Sequence, residues 1–586
     1  MPWWKKLLWI ICSWRFYTLK VKLGRRQAPR ARITNTSLSG ILHDIFANRG
    51  IKDQAELELR LSNLLPISSL GNVKAAADLI LNAINADKRI LVVADFDADG
   101  ATACALVVRA LRQLNANITY RVPNRSRHGY GLSAELVQET LKLEVDLIIT
   151  VDNGIASFAG IALARENNIK VIVTDHHLPA ANLPAANVII NPNLVSETFA
   201  SKNLCGVGVA FYLVCALHDK LTQDNWYKEH NIKPLIPASY LDLAAFGTVA
   251  DVVTLDKNNR ILIKAGIGKI RSGSSCAGIK ALLEIVSLKE QYVAASDIAF
   301  KLAPRINAAG RMEDMSIGIE CLLSDDKTNA MKLAATLDSI NQERQDIERT
   351  MQEQAKQVVD GFQADNDLPF GLCLYQKTWH EGIVGIVAGR LKEKLHRPVI
   401  AFAKNGNSLK GSARSVHKIN IRDALDSIDK NYPGLIDKFG GHAMAAGLNI
   451  KPHNFTAFAE AFDQTIRGQL TIDDMTGEIL SDGQLGENEF NLAFAKLLRD
   501  ISPWGQDFPE PIFDGEFAVL EQRVVGDKHL KMTLKSQQSS IPLEAIAFNQ
   551  PPLNLTENLV RIAYRLNLNY WQDNVSLQLV VLYIGL

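Results

Sequence analysis

Acidic and imidazole side chains gather at the ends of three short apolar runs in this 586-residue chain. Ile90–Ala94 leads into Asp95-Phe96-Asp97-Ala98-Asp99-Gly100, Leu147–Val151 into Asp152-Asn153-Gly154, and Val171–Thr174 into Asp175-His176-His177. Crowded carboxylates resist ionising together unless a cation joins them. Carboxylates mixed with imidazole suit Mn²⁺, and suit Mg²⁺ less well. Asp97, Asp99, Asp152 and His176, with Asp95 or Asp251, exceed the needs of one ion. Two ions about 3.5–4 Å apart are therefore expected, with Asp152 as the bridging carboxylate. Such a centre activates water and neutralises charge on phosphoryl oxygens, so the chemistry is metal-assisted phosphoester hydrolysis without a covalent protein nucleophile. One Asp-Gly or Asp-Asn-Gly alone would be read as a turn or helix cap. Three at strand ends, beside a His-His pair, argue for a site. No P-loop, dinucleotide glycine fingerprint or Ser-His-Asp elbow competes.

Positioning these side chains is the task of the elements behind them. Each apolar run is short and β-branched, as in a strand buried on both faces. Helical stretches 101–114, 133–143 and 157–167 separate the runs, and a further strand is expected at 117–122. This alternation predicts an α/β fold with a parallel sheet, whose ligands bind beyond the carboxyl ends of the strands. Gly100 is expected to ease the turn into the first helix, and Asp97 and Asp99, two apart in extended backbone, to project to one side. Residues 36–85 read as helices, and helices are also expected near 208–222 and 240–250. Residues 326–362 read as one long polar helix with a solvated charged face, joining two lobes. A smaller α/β domain follows, with strands near Leu372 and Val399. Short alternating segments at 516–520, 530–534, 543–548, 560–566 and 575–583 predict a small antiparallel barrel.

The net charge of +1 is unevenly spread. The first 32 residues hold nine Lys or Arg and no acid, which leaves the rest with 55 basic against 63 acidic residues, near −8. Nucleic acid would have to be held by local basic grooves, not by a globally positive surface. Seven scattered cysteines without a CxxC pair point to a reducing compartment and argue against a zinc ribbon. Four of the eight tryptophans (Trp3, Trp4, Trp9 and Trp14) fall in the basic start, whose uncharged stretch is too short to span a bilayer. Residues 1–35 are expected to be a disordered extension, and the protein to be a cytoplasmic monomer without a membrane partner.

Asp175-His176-His177, preceded by Asp97-Ala98-Asp99-Gly100 with Asp152 between, resembles the DHH phosphoesterase superfamily. Further segments resemble one branch of it, the RecJ family of single-strand-specific exonucleases: Asp95–Gly100, Pro123-Asn124-Arg125, Gly129–Leu132, 247–253, 303–311, 411–415, 440–447 and 501–511. The resemblance runs from about residue 36 to the C-terminus, with Phe96 where the family often has tyrosine. It implies a DHH catalytic domain at 36–325, a connecting helix at 326–365, a DHHA1 domain at 366–467 and an OB-like domain at 468–586. It makes Asp95, Asp97, Asp99, Asp152, His176 and Asp251 ligands of Mn²⁺ or Mg²⁺, two ions per site, with Asp95 either a ligand or its close neighbour. His177 would contact the scissile phosphate and Asp175 would orient the histidines. Ser412, Arg414, Gly441 and His442 match positions that hold nucleic acid, and Arg125, Arg305 and Arg311 could fork onto phosphate. Asp527, Lys528, His529 and Lys531 would face DNA from the barrel. Tyr130, Trp379 and Trp504 could stack on bases, but large aromatics are more often core and are left out of the site. The implied activity is 5′→3′ degradation of single-stranded DNA to mononucleotides in repair and recombination, with single-strand-binding protein and a RecQ-like helicase as candidate partners. The alternatives are a DHH phosphodiesterase of nanoRNA or cyclic dinucleotides, and a non-catalytic single-strand-binding subunit. The latter would be expected to have lost ligand carboxylates, which this chain retains.

Overall fold

The three acid-tipped runs are strands, and they lie side by side. In the computed structural model, Ile118–Arg121, Ile90–Ala94, Leu147–Val151, Lys170–Thr174 and Val188–Ile190 form, in that order, one parallel sheet. The structure describes residues 21–27, 33–34, 36–38, 40–124, 128–364, 368–526, 528–536, 541–555, 558–571 and 574–585. Ala94 pairs with Val151 and Val151 with Thr174, so Asp95, Asp152 and Asp175 leave the sheet at one level. Both faces are covered. Ile90, Val92 and Ala94 pack with helices Val73–Asn85, Ala98–Gln113 and Gly206–Gln223. Leu91 and Val93 pack with Ala134–Thr140 and Phe158–Glu166. Double coverage is why these strands read as unbroken apolar runs.

The first helix starts earlier than expected. Asp97 is its N-cap and accepts from Asp99 N at 2.9 Å and Gly100 N at 3.1 Å, so Asp99 lies inside the first turn and not in extended backbone. Gly100 does not ease a turn. A Cβ there would meet the Asp95 backbone at 2.7 Å, so glycine permits a close approach. Residues 257–323, for which the sequence offered a motif but no elements, are helical: Lys257–Arg271, Ala277–Ile285, Ala303–Met312 and Ser316–Leu323.

The long helix, Lys327–Ala364, serves two cores. Ala330, Ala334 and Leu337 join the core around the parallel sheet; Met351, Ala355 and Val359 join that of the next lobe. Its charged face is not simply solvated. Glu348 is buried and accepts from Arg344 Nη1 at 2.7 Å, and Arg344 is itself 7 % exposed. The second lobe carries a mixed sheet in the order Lys438–Gly441, Ala445–Ile450, Ser408–Arg414, Val399–Asn405, Leu372–Tyr375. Only its Leu372–Tyr375 edge pairs in parallel.

Five strands then close a barrel: Phe513–Val525, His529–Ser536, Leu543–Ala547, Leu559–Trp571 and Asn574–Gly585. The expectation of a wholly antiparallel barrel fails at one seam, where Leu543–Ala547 pairs in parallel with Asn574–Gly585. His529 does not face DNA. It is 2 % exposed and accepts Asn549 N–H at 3.0 Å, while Lys531 is paired with Glu544 at 2.6 Å; Asp527 lies outside the described residues.

Helix Gly40–Ala47 joins the barrel to the parallel-sheet domain, because Ile45 is buried in the barrel core and the adjacent Phe46 in that of the sheet. Most of the N-terminal extension lies outside the described residues, yet disorder does not hold for all of it. Lys22–Arg25 is a strand paired in parallel with Glu478–Ser481, and Arg25 forks onto Asp514 at 2.8 and 2.9 Å. Basic residues are ordered there because buried Asp482 and Asp514 receive them. Among the described residues, no single helix is long and apolar enough to cross a membrane.

Candidate metal centre

Six predicted ligands meet above the carboxyl ends of the sheet. His176 Nε2 lies 3.1 Å from Asp152 Oδ1 and 3.5 Å from Asp251 Oδ2. Ligand atoms of Asp99, His176 and Asp251 lie within 4.8 Å of one another, as do those of Asp95, Asp97 and Asp152. Asp152 belongs to the second trio and also faces His176, the property expected of a bridging carboxylate. Its backbone is left-handed, φ 63°, which swings the side chain off the strand end. Gly206 makes room for it: a Cβ there would come within 2.3 Å of Asp152 Cβ.

The electrostatics are those of a cation site. Burial, then the charges of Asp99, Asp97, Asp95 and Asp251, hold the Asp152 carboxyl well above the usual carboxylate range. Burial and three of the same neighbours do likewise to Asp251. Asp99 is pushed up to about 7 by burial and Asp97, although Gly206 N and Val207 N donate to its two oxygens at 2.6 and 2.8 Å. Burial, then His177, depress the His176 imidazole to about 4, leaving it neutral with a lone pair to offer. Asp152 Oδ1 and His176 Nε2 are buried and have no hydrogen-bond partner. Leaving such atoms orphaned is costly, and a divalent cation satisfies both while restoring ionised carboxylates. The donors fit Mn²⁺ or Mg²⁺.

Asp175 has a different role. Its Oδ1 accepts from His176 N (2.7 Å), His177 N (3.0 Å) and His177 Nδ1 (2.7 Å), and its Oδ2 from Ile155 N (2.9 Å). Burial alone would raise this carboxyl, but bonding to His177 keeps it below its ordinary range. Conversely, burial works to lower His177, and Asp175 overrides it, pushing the imidazole up to about 9. Asp175, with Asp95 and Asp97 behind it, thus favours the protonated form of His177 in the metal-free site.

The predicted nucleic-acid residues do not all meet. His442 lies close enough to His176 and His177 for their charges to interact, so the second lobe faces the centre. Arg414 Nη1 donates to Ser412 Oγ at 3.1 Å; Gly385, at the start of helix Val384–Leu395, would lose its clearance from both if it gained a Cβ. Gly441 has φ 146°, open to glycine. Arg311 sits where the lobes meet, its Nη1 3.4 Å from Gly382 O. Arg305 is a correction: at 3 % exposure its guanidinium lies against Asp338 on the long helix, at 2.8 and 2.9 Å, out of reach of a substrate. Arg125 lies outside the described residues.

Tyr130, read from the sequence as a possible base-stacking residue and left out of the site, stands at it, and the part played by Asn307 escaped sequence reasoning. Tyr130 is 46 % exposed; its hydroxyl donates to Asp152 O at 3.3 Å and lies 3.3 Å from the His177 ring nitrogens. Its Gly129-Tyr130-Gly131 setting, with φ 76° and 70° at the glycines, was the available signal. Asn307 Oδ1 accepts from Ala98 N at 2.8 Å, and Gly310 lies against Phe96 O. The 303–311 motif therefore seats the first acid cluster.

A parallel sheet whose strands end in Asp-x-Asp, Asp and Asp-His-His, faced by a smaller α/β lobe, is the arrangement of a DHH-type phosphoesterase. Family models agree: "DHH family, N-terminal domain" matches residues 89–248, "DHHA1 domain" 369–468 and "RecJ OB domain" 481–583. A Salmonella typhimurium protein, the single-stranded-DNA-specific exonuclease RecJ, is 47 % identical over 96 % of this chain and 98 % of its own. RecJ from Thermus thermophilus in complex with Mn²⁺ superposes with TM-score 0.75 at 32 % identity, over 92 % of this chain and 75 % of that one. Its Mg²⁺ complex gives TM-score 0.73 at 28 % identity, over 96 % and 78 %. The chain belongs to the RecJ family.

Proposed function

We propose that this protein is a 5′→3′ exonuclease that degrades single-stranded DNA to mononucleotides with two divalent cations, serving repair and recombination. The observation that carries the reading is the pair of orphaned buried atoms, Asp152 Oδ1 and His176 Nε2, within a ring of carboxylates. Asp95, Asp97, Asp99, Asp152, His176 and Asp251 would hold Mn²⁺ or Mg²⁺, which supplies Lewis acidity and an activated water when bound. Asp99, anchored on two backbone N–H groups, keeps its trio in place while the other ligands adjust. His177, with its Nδ1 tied to Asp175, holds a proton that a scissile phosphate oxygen can accept. Ser412, Arg414, Gly441 and His442 offer donors for a 5′-terminal phosphate, which would set polarity. Arg311 could add a phosphate contact between the lobes.

Family membership with RecJ relatives, which are named for single-stranded DNA, supports that substrate over a dinucleotide. A time course on 5′- and 3′-labelled single strands with Mn²⁺, Mg²⁺ or EDTA tests reaction, polarity and cation together. Mononucleotides released from the 5′ end, and only with metal, are expected. Cleavage confined to dinucleotides, or product formation in EDTA, would sink the reading.

A further inference from the structure

The segment that carries Asp251 returns to the body of the protein through a costly turn. Helix Leu241–Ala250 ends at Asp251, and the next residue, Val252, has φ 59°. Left-handed backbone suits glycine or asparagine; a β-branched residue stays there only where its surroundings hold it. Val252 is 62 % exposed, so burial of its own side chain does not hold it. The restraint lies two residues on: Asn259 Nδ2 donates to Thr254 O at 2.9 Å from nearby, and the remaining contacts come from a distant part of the chain. Thr254 Oγ1 donates to Asp507 Oδ2 at 2.5 Å, and Leu255 N donates to Gln506 O at 3.0 Å. Gly505 approaches so closely that a Cβ would meet Leu255 Cδ1 at 2.8 Å. The clamp is itself anchored. Trp504 Nε1 donates to Leu498 O at 2.8 Å, the Trp504 ring stacks on Phe508 at 5.3 Å, and the Arg260 guanidinium lies 4.4 Å from the centre of the Phe508 ring. These residues belong to the 501–511 motif, which the metal centre and the phosphate-holding groups leave unused.

We propose that the 504–508 loop is a positioning element for the metal centre: by clamping Thr254 and Leu255 it keeps Val252 left-handed and the Asp251 carboxylate turned toward His176. The inference rests on Asp251 being a metal ligand. Asp507 touches no reacting atom and acts through Thr254. The same loop leads into the first barrel strand at Phe513, so the seat of the barrel and the seat of one ligand are shared.

Mn²⁺ binding to the full chain, followed by calorimetry without DNA, tests this independently of turnover. Asp251→Asn is expected to weaken binding beyond tenfold, and Asp507→Ala by about tenfold, as for other groups that orient a ligand. Asp507→Asn keeps an acceptor for Thr254 Oγ1 and is expected to bind as wild type. Val252→Gly placed in the Asp507→Ala background restores most of the affinity, because glycine adopts the left-handed turn without the steric cost that the clamp offsets for valine; loss of packing alone would not be rescued this way. Thr254→Val, which removes the donor and keeps the shape, replaces Asp507→Ala should that variant not fold. Unchanged binding in Asp251→Asn removes the ligand assignment and the inference with it. Weakened binding in Asp251→Asn with wild-type binding in Asp507→Ala and Thr254→Val overturns the clamp alone, as does failure of Val252→Gly to restore affinity.

Discussion

Asp152 and Asp175 are both buried aspartates at strand ends, yet their surroundings give them opposite characters. Asp152 faces other carboxylates and a neutral imidazole; Asp175 faces N–H donors on every side. Replacing Asp152 by Asn keeps the shape and removes the charge, so Mn²⁺-dependent cleavage should fall by more than about a hundredfold, beyond what loss of an orienting group costs. DNA binding in EDTA should be retained; unchanged turnover would remove the assignment. For Asp175→Asn the readout is the His177 proton. In metal-free protein the His177 imidazole should titrate near 9 in the wild type and clearly lower in the variant. NMR of the ring protons decides this, and an unmoved midpoint would reject Asp175 as the cause. The sign for stability follows from both partners. His177, raised, contributes fully below its ordinary value and loses that contribution as pH climbs through about 9. Asp175, lowered, contributes above its ordinary value and loses it as pH falls through its depressed one. The pair therefore stabilises the metal-free fold most between those limits.

At the scale of elements, the centre depends on close approaches that no charged residue advertises. The Gly206–Gln223 helix starts against Asp152 and donates its first N–H groups to Asp99, so one helix end fixes two carboxylates. Gly206→Ala would favour the helix by propensity but drive a methyl into Asp152. The clash should win, costing about 1–3 kcal/mol in denaturant unfolding and weakening Mn²⁺ binding. A variant as stable as wild type, with normal metal affinity, would show that the approach has slack. Helix Ala303–Met312 acts similarly from the other side, through Asn307 and Gly310. Arg305 on that helix looked like a phosphate ligand in the sequence because arginine in a Pro-Arg-Ile-Asn setting carries no sign of what lies opposite. Opposite it lies Asp338, thirty-three residues on.

For the whole molecule, the 38-residue Lys327–Ala364 helix sets the separation of the two lobes, about 57 Å long at 1.5 Å per residue. Glu348 is buried at its middle and gathers Arg344 at 2.7 Å, Gln352 at 2.9 Å and, at 3.5 Å, Arg390 from the second lobe. Glu348→Ala leaves a buried guanidinium without its anion and should cost about 3–5 kcal/mol. Exchanging Glu348 and Arg344 together for methionines should recover most of that loss in stability, since a buried pair is replaceable by apolar packing. Equal destabilisation in the single and double variants would mean that the pair is not what holds the helix in place. Among the contacts that tie down the barrel are the Lys22–Arg25 strand, Ile45 in its core, Arg49 on Asp482 and Tyr292 stacked on Tyr570.

Local sequence alone was enough to read the three acid-tipped strands, their parallel sheet, the long helix and the five barrel segments. Each rests on a local signal, either an apolar period or a run of ligand-type residues at a strand end, that does not need the rest of the chain to be read. Phosphoester chemistry was legible for the same reason, because carboxylates and imidazoles state their chemistry wherever they stand. Folding in three dimensions settled what each arginine is paired with, as Arg305 shows, and that Asp99 sits within a helix and leans on residues 206 and 207. It alone brought Tyr130 to His177, paired Lys22–Arg25 with a strand far along the chain, and set Asp507 against Thr254. These are contacts between residues tens to hundreds of positions apart. Their partners are chosen by packing and by buried charge seeking its counterion, and neither leaves a periodic trace along the chain.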